Sequence, residues 1–224
     1  MASGFKAQDV SKTIEHTLLQ AFVTEDDIMK LCQEAIKYNF IAVCVNPIYV
    51  SLAYERLKGA PINVCTVIGF PLGTTFTEVK IKEALQAIEN GASEVDMVMS
   101  ISKFKSRKYD YVEQEIRRIK DALGGKILKV IIETCYLTDE EKVKAAKIAE
   151  KAGADYIKTS TGFGPAGAKI DDVKLIRSVL DPHVKIKASG GIRTLDQVIA
   201  LIEAGADRIG TSSGVKIVEE LLQR

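Results

Sequence analysis

Tryptophan is absent from this 224-residue sequence, and aromatic residues make up only 6% of it. That scarcity argues against a stacking platform for single-stranded nucleic acid, which depends on aromatic faces. An excess of either charge is missing too: 31 Lys and Arg stand against 30 Asp and Glu, a formal net of +1. No broad attraction to nucleic acid or to an anionic membrane follows from that balance. No apolar run approaches the ~18 residues of a membrane span, and residues 1–8 contain no apolar signal core. Two His residues and four scattered cysteines without a CxxC pair do not make a usual zinc set. Cys44 and Cys65 lie in apolar runs and read as buried thiols. These absences predict a reduced, cytoplasmic, soluble protein with small-molecule partners, not nucleic acid or membrane.

With 46% apolar and 27% charged residues, the chain can bury a sizeable core as one α/β domain or two small ones. Eight short apolar or β-branched runs, near 13–18, 40–45, 62–68, 94–99, 127–133, 155–159, 184–188 and 208–210, predict strands. Amphipathic stretches at 25–38, 77–90, 111–123, 139–152, 169–180 and 194–204 predict the helices between them, with a shorter one near 49–57. In 25–38 the apolar Ile28, Leu31, Cys32, Ala35 and Ile36 recur at three- and four-residue steps, which gives a helix one buried stripe. One joint occurs three times: Asn90-Gly91-Ala92, Ala152-Gly153-Ala154 and Ala204-Gly205-Ala206. Gly closes the helix in a left-handed conformation, and Ala lets the chain turn tightly into the next strand. Repetition of that joint, with eight strands and no linker or composition break, predicts one (β/α)8 TIM barrel over 1–224. An open doubly wound sheet is the alternative.

Strands buried on both faces should be almost wholly apolar. Several here carry charge: Asp96 in the fourth, Lys129 and Glu133 in the fifth, Lys158 in the sixth, Lys185 and Lys187 in the seventh. Alternation puts Lys129 with Glu133 on one face, and Lys185 with Lys187. An unpaired buried charge costs several kcal/mol, so such groups must pair, shift pKa or do chemistry. Asp96, Lys158 and Lys187 fall near the C-terminal strand ends, where barrel enzymes build their sites. Gly-rich turns follow the last three strands: Thr161-Gly162-Phe163-Gly164, Ser189-Gly190-Gly191 and Gly210-Thr211-Ser212-Ser213-Gly214. Glycine lets amides approach an anion, hydroxyls add donors, and a following helix adds its positive end, so the three together predict a phosphate site. At pH 7 an ordinary Lys has about one neutral amine in 2,500. A neighbouring ammonium or desolvation raises that fraction and readies the amine for attack on a carbonyl. From the residues alone, the chain reads as a phosphate-binding barrel with Schiff-base aldolase chemistry within reach.

Several motifs resemble the class I deoxyribose-phosphate aldolase family. They are Glu94-Val95-Asp96-Met97-Val98, Lys129-Val130-Ile131-Ile132-Glu133-Thr134, Tyr156-Ile157-Lys158-Thr159-Ser160-Thr161-Gly162-Phe163 and the run from Val184 through Lys187-Ala188-Ser189-Gly190-Gly191 to Arg193. Glu15-His16-Thr17-Leu18-Leu19 and Gly69-Phe70-Pro71-Leu72-Gly73 are similar as well, so the resemblance extends from about residue 10 to Gly214. It implies reversible cleavage of 2-deoxy-D-ribose 5-phosphate to acetaldehyde and D-glyceraldehyde 3-phosphate, as a step in deoxyribose phosphate catabolism, without metal or organic cofactor. By motif, Lys158 is the Schiff-base lysine, Lys187 the ammonium that lowers its pKa, and Asp96 the general acid/base acting through water. Phosphate is expected on Gly162, Gly190, Gly191, Ser212 and Ser213. Family members are often dimers or tetramers, so a homodimer or homotetramer is implied.

Departures from the pattern define further expectations. Glu15 stands where many members have Asp, one methylene shorter, and its role is open. Some members end in a Tyr used in proton relay; this sequence ends Leu221-Leu222-Gln223-Arg224. His16 reads as a hydrogen-bonded structural residue, His183 as a surface one, and Lys129 with Glu133 as an internal pair tuning the lysines. Spacing leaves Lys185 as a rival to Lys187; only the motif chooses. Two other functions fit the residues: a class I aldolase with another donor, and a phosphosugar-binding barrel without turnover.

Overall fold

The computed structural model describes residues 6–223; residues 1–5, within the segment read above for a signal core, and Arg224 lie outside the described residues. The strands are β1 (Ile14–Leu18), β2 (Ala42–Val45), β3 (Asn63–Ile68), β4 (Glu94–Val98), β5 (Ile127–Ile131), β6 (Tyr156–Lys158), β7 (Lys185–Ser189) and β8 (Arg208–Thr211). Each is parallel to both neighbours, and β8 pairs back to β1, so the sheet closes into a barrel. Closure rules out the open doubly wound alternative. The helices are α1 (Ala7–Ser11), α2 (Glu25–Tyr38), α3 (Val50–Leu57), α4 (Thr77–Glu89), α5 (Ile101–Lys105), α6 (Tyr109–Ala122), α7 (Asp139–Lys151), α8 (Ile170–Val179), α9 (Leu195–Glu203) and α10 (Gly214–Gln223). No helix among the described residues is long and apolar enough to cross a membrane.

Local chemistry explains where these elements begin and end. Thr24 caps α2: its hydroxyl accepts from the Asp27 amide at 3.4 Å, and the Asp27 carboxylate accepts from the Thr24 amide at 2.9 Å. Ile28, Leu31, Cys32 and Ala35 form the buried stripe of α2, whereas Ile36, expected in it, is half exposed. The three repeated joints share one geometry. Gly91, Gly153 and Gly205 all have positive φ. The next residue's amide then reaches back five positions, as from Ala154 to the Ala149 carbonyl at 3.0 Å.

Side-chain alternation divides the strands between two environments. Outward-facing residues such as Val43, Val64, Val95, Val130, Ile157, Ile186 and Ile209 pack into the large core shared with the helices. Inside the barrel, Leu19, Cys44, Cys65 and Val67, with Phe70 against them, make a small apolar cluster on the β2–β3 side. Cys44 and Cys65 are buried, and all four cysteines are free thiols. Small residues there leave room for long charged side chains arriving from the other strands.

Candidate active site

Those charged side chains fill the rest of the interior. Register sets Asp96 beside Lys129 on β4 and β5, and Lys158 beside Lys187 on β6 and β7. Asp96 Oδ2 accepts from Lys158 Nζ at 2.8 Å and from Lys187 Nζ at 2.7 Å. Its Oδ1 accepts from Lys129 Nζ at 2.9 Å and Cys65 Sγ at 3.1 Å. Below, Lys129 meets Glu94 at 2.5 Å and Glu15 at 3.3 Å. Arg208 meets the same two carboxylates at 2.5 and 2.9 Å, and Asn63 donates to the second Glu94 oxygen at 2.7 Å. Glu15 also accepts from Lys187, joining the lower layer to the upper one.

The charges do not balance. Among the described residues, three interior carboxylates (Glu15, Glu94 and Asp96) face four cations (Lys129, Lys158, Lys187 and Arg208). Lys129 reaches three carboxylates, and Lys187 and Arg208 reach two each. Lys158 reaches one, and it alone of the four cations also lines the open cavity at the C-terminal mouth.

The neighbours' acidities follow from the same network. Burial pushes the Glu15 carboxyl up, but Lys129 and Lys187 outweigh it and hold the group down at about 2. Burial likewise opposes ionisation of Asp96, and the ammoniums of Lys129, Lys158 and Lys187 overcome it, leaving Asp96 well below the usual range. Burial lowers Lys187, but Asp96 and Glu15 prevail, and its pKa lies above that of an ordinary lysine. Lys187 is therefore a fixed ammonium, and Asp96 a fixed carboxylate, in the resting site.

Three turns wall the cavity above Lys158. Thr161, Gly162 and Phe163 come from the turn after β6, Gly190, Gly191 and Arg193 from the turn after β7, and Ser212 from the turn after β8. Gly162, Gly190 and Gly191 all have positive φ, which a side chain would resist. Among the described residues, no hydrogen bond consumes the amides of Gly162, Gly190, Gly191 or Ser212. Four donors thus remain beside the cavity. Ser213 lines a neighbouring cleft with His16 and Glu34, and its amide donates to Thr211 Oγ1 at 2.9 Å.

Other sequence assignments resolve cleanly. Lys185 is exposed at the opposite end of β7, 5.8 Å from the Tyr156 ring, so the interior position belongs to Lys187. His16 points away from the barrel axis, buried, with Nε2 2.8 Å from Glu34 Oε2; His183 is exposed. The expected Lys129–Glu133 pair does not exist. β5 ends at Ile131, and Glu133 has φ 51, so strand parity no longer holds there and its carboxylate turns to Thr161. Glu94 and Arg208 escaped the sequence reading. Their signal was present: Glu94 shares parity with Asp96, and Arg208 opens a strand with no other charge.

Lysines joined through a carboxylate, under donor-rich turns at the C-terminal mouth of a closed β/α barrel, define a site of the aldolase class. The chain belongs to the DeoC/LacD family of aldolases, whose profile matches residues 7–220. It is similar to the deoxyribose-phosphate aldolase of Caldanaerobacter subterraneus, 54% identical over 215 residues, covering 95% of this chain and 93% of that one. That of Aciduliprofundum boonei is 56% identical over 218 residues, covering 96% and 98%. Among solved structures, an aldolase called QR15 superposes with a TM-score of 0.93 at 48% identity, covering 96% of this chain and 97% of its own. A deoxyribose phosphate aldolase from Aeropyrum pernix, described as a unique tetramer, gives 0.90 at 35% identity, covering 97% and 92%. The chain is an enzyme, a lyase of the aldolase type.

Proposed function

We propose that this enzyme reversibly cleaves 2-deoxy-D-ribose 5-phosphate to acetaldehyde and D-glyceraldehyde 3-phosphate through a Schiff base on Lys158. The observation that carries the reading is the single Asp96 oxygen shared by Lys158 and Lys187 beneath a cavity edged by free amides. The names of the similar proteins support the substrate, and the shared Asp96 oxygen beside the cavity supports the roles. A neutral Lys158 amine adds to C1 of the open-chain aldehyde, and loss of water gives an iminium. Removal of the proton from the C3 hydroxyl lets the C2–C3 bond break, its electrons passing into the iminium. Glyceraldehyde 3-phosphate leaves and an enamine remains. Protonation at C2 and addition of water release acetaldehyde and restore the amine.

Asp96 orients the amine before attack and relays protons through water, while the Lys187 ammonium keeps the positive field that favours a neutral Lys158. Positioned proton transfer of this kind contributes about 10²–10⁴-fold. The phosphate rests on the amides of Gly162, Gly190, Gly191 and Ser212, with the start of α10 behind them. The product chemistry fits a degradative step acting on deoxyribose phosphate.

Borohydride reduction in the presence of acetaldehyde tests the reading. An adduct localised to Lys158 by peptide mass, and lost in Lys158→Ala, is expected. An adduct only with ketone or keto-acid donors would indicate a different class I aldolase. Binding of the phosphate ester without any adduct would leave a non-catalytic phosphosugar barrel.

A further inference from the structure

Glu133 is a buried charged residue that the barrel network does not use. It is 2% exposed, and its backbone holds φ 51, a left-handed conformation that strains a residue with a side chain. What that conformation achieves is visible in the side chain. One carboxylate accepts from the Thr161 amide at 3.2 and 3.3 Å, from the Thr161 hydroxyl, and from Cys135 Sγ at 3.8 Å. Thr161 Oγ1 in turn accepts from the Phe163 amide at 3.0 Å. Glu133 therefore fixes the residues on both sides of Gly162.

The turn so fixed is packed against the next one. A Cβ on Gly190 would stand 3.4 Å from the Gly162 Cα and 3.0 Å from the Gly167 Cα. The Ala168 amide ties the two turns together by donating to the Ser189 and Gly190 carbonyls at 3.0 and 3.1 Å. A shift of Thr161 thus moves Gly162 and presses on Gly190, two of the amides beside the cavity.

We infer that Glu133 is a positioning residue for phosphate recognition. Its carboxylate holds the 161–163 turn in the shape that presents the Gly162 amide, and so sets the preference for a phosphorylated over an unphosphorylated substrate. This rests on the phosphate location given under Proposed function. Two effects of opposite sign compete, because a carboxylate near an anion site also repels the anion. The hydrogen bonds prevail: both Glu133 oxygens are already engaged by Thr161 donors, and charge-assisted bonds of this kind are about twice as strong as neutral ones.

Two variants separate the contributions. Glu133→Gln keeps the shape but replaces one acceptor oxygen with a donor. Glu133→Gly removes the carboxylate and suits the left-handed backbone, so it folds without the strain of the native residue. The affinity of each protein for inorganic phosphate, measured by calorimetry, should weaken about tenfold, the weight of one charge-assisted hydrogen bond. KM for 2-deoxyribose 5-phosphate should rise similarly, with kcat for unphosphorylated 2-deoxyribose held within about twofold. Tighter phosphate binding in Glu133→Gln would mean that repulsion dominates and would overturn the inference. So would unchanged affinity in Glu133→Gly, or equal losses on both substrates. If the wild-type protein itself binds no phosphate, the phosphate location and the Glu133 role both fall. Wild-type binding that survives both variants removes only the latter.

Discussion

Lys158 and Lys187 donate to the same oxygen of Asp96, at 2.8 and 2.7 Å. One carboxylate oxygen therefore positions both amines. Replacing Asp96 by Asn keeps the volume and removes the charge, leaving the interior with four cations and two carboxylates. kcat should fall by about 10²–10⁴-fold, the scale of lost proton-transfer catalysis. Stopped-flow turnover with 2-deoxyribose 5-phosphate measures it; activity within tenfold of wild type would show that Asp96 has no part in proton transfer.

Removing the Lys187 charge acts in a direction that can be worked out. Its ammonium disfavours a second positive charge on Lys158, so Lys187→Leu should raise the apparent pKa for Schiff-base formation. The acid limb of the pH profile moves to higher pH, and trapping at pH 7 falls. Borohydride trapping of acetaldehyde from pH 6 to 10 reads that limb directly. A profile that stays in place would assign the tuning to desolvation alone.

Glu15 links the site to acid stability. Its carboxyl sits at about 2 in the folded protein against an ordinary 4.5. A depressed carboxyl stabilises the fold fully above the unfolded value and loses that contribution as pH drops toward 2. The shift corresponds to on the order of 3 kcal/mol. Urea unfolding at pH 7, 5, 4 and 3 should show stability falling below about pH 4.5, and Glu15→Gln should flatten part of that fall. The same variant should be less stable at pH 7, because Arg208 and Lys187 each lose a buried partner. Equal slopes for the two proteins would remove Glu15 from the acid transition.

Gly190 has φ 87 and lies against Gly167. Gly190→Ala meets left-handed strain of about 1–2 kcal/mol and a crowded neighbour backbone at once. Thermal unfolding should occur several degrees lower, and KM for the phosphorylated substrate should rise more than kcat falls. Wild-type KM would show that the turn after β7 does not contact phosphate.

Much of this arrangement was legible in the sequence because strand alternation is strict. Asp96, Lys158 and Lys187 were marked by charge in runs that should be apolar, and the three Gly-Ala joints marked the repeating β/α unit. The same rule failed at Glu133, two residues past the end of β5, where parity no longer defines direction. Glu94 and Arg208 form the lower layer and come together only when strands four and eight meet across the interior, a relation that spacing along the chain cannot express. Helix α10 went unread as well, although Ile217, Val218 and Leu221 recur at helical steps. Lys185 and Lys187 were equivalent by parity; beyond the motif, burial at one end of β7 and exposure at the other distinguish them.

Glu15 belongs to the first strand of the barrel, Arg208 to the last and Lys187 to the one before it. The partners that fix the charge state of the site therefore come from opposite ends of the chain, and they meet only when β1 and β8 are joined. A half-barrel or a chain still lacking its final strand would hold Lys187 without its second carboxylate and Glu15 without its guanidinium. Under the roles proposed for these residues, turnover requires ring closure. An assay on split or circularly permuted chains would measure how completely the seam between the first and last strands has formed.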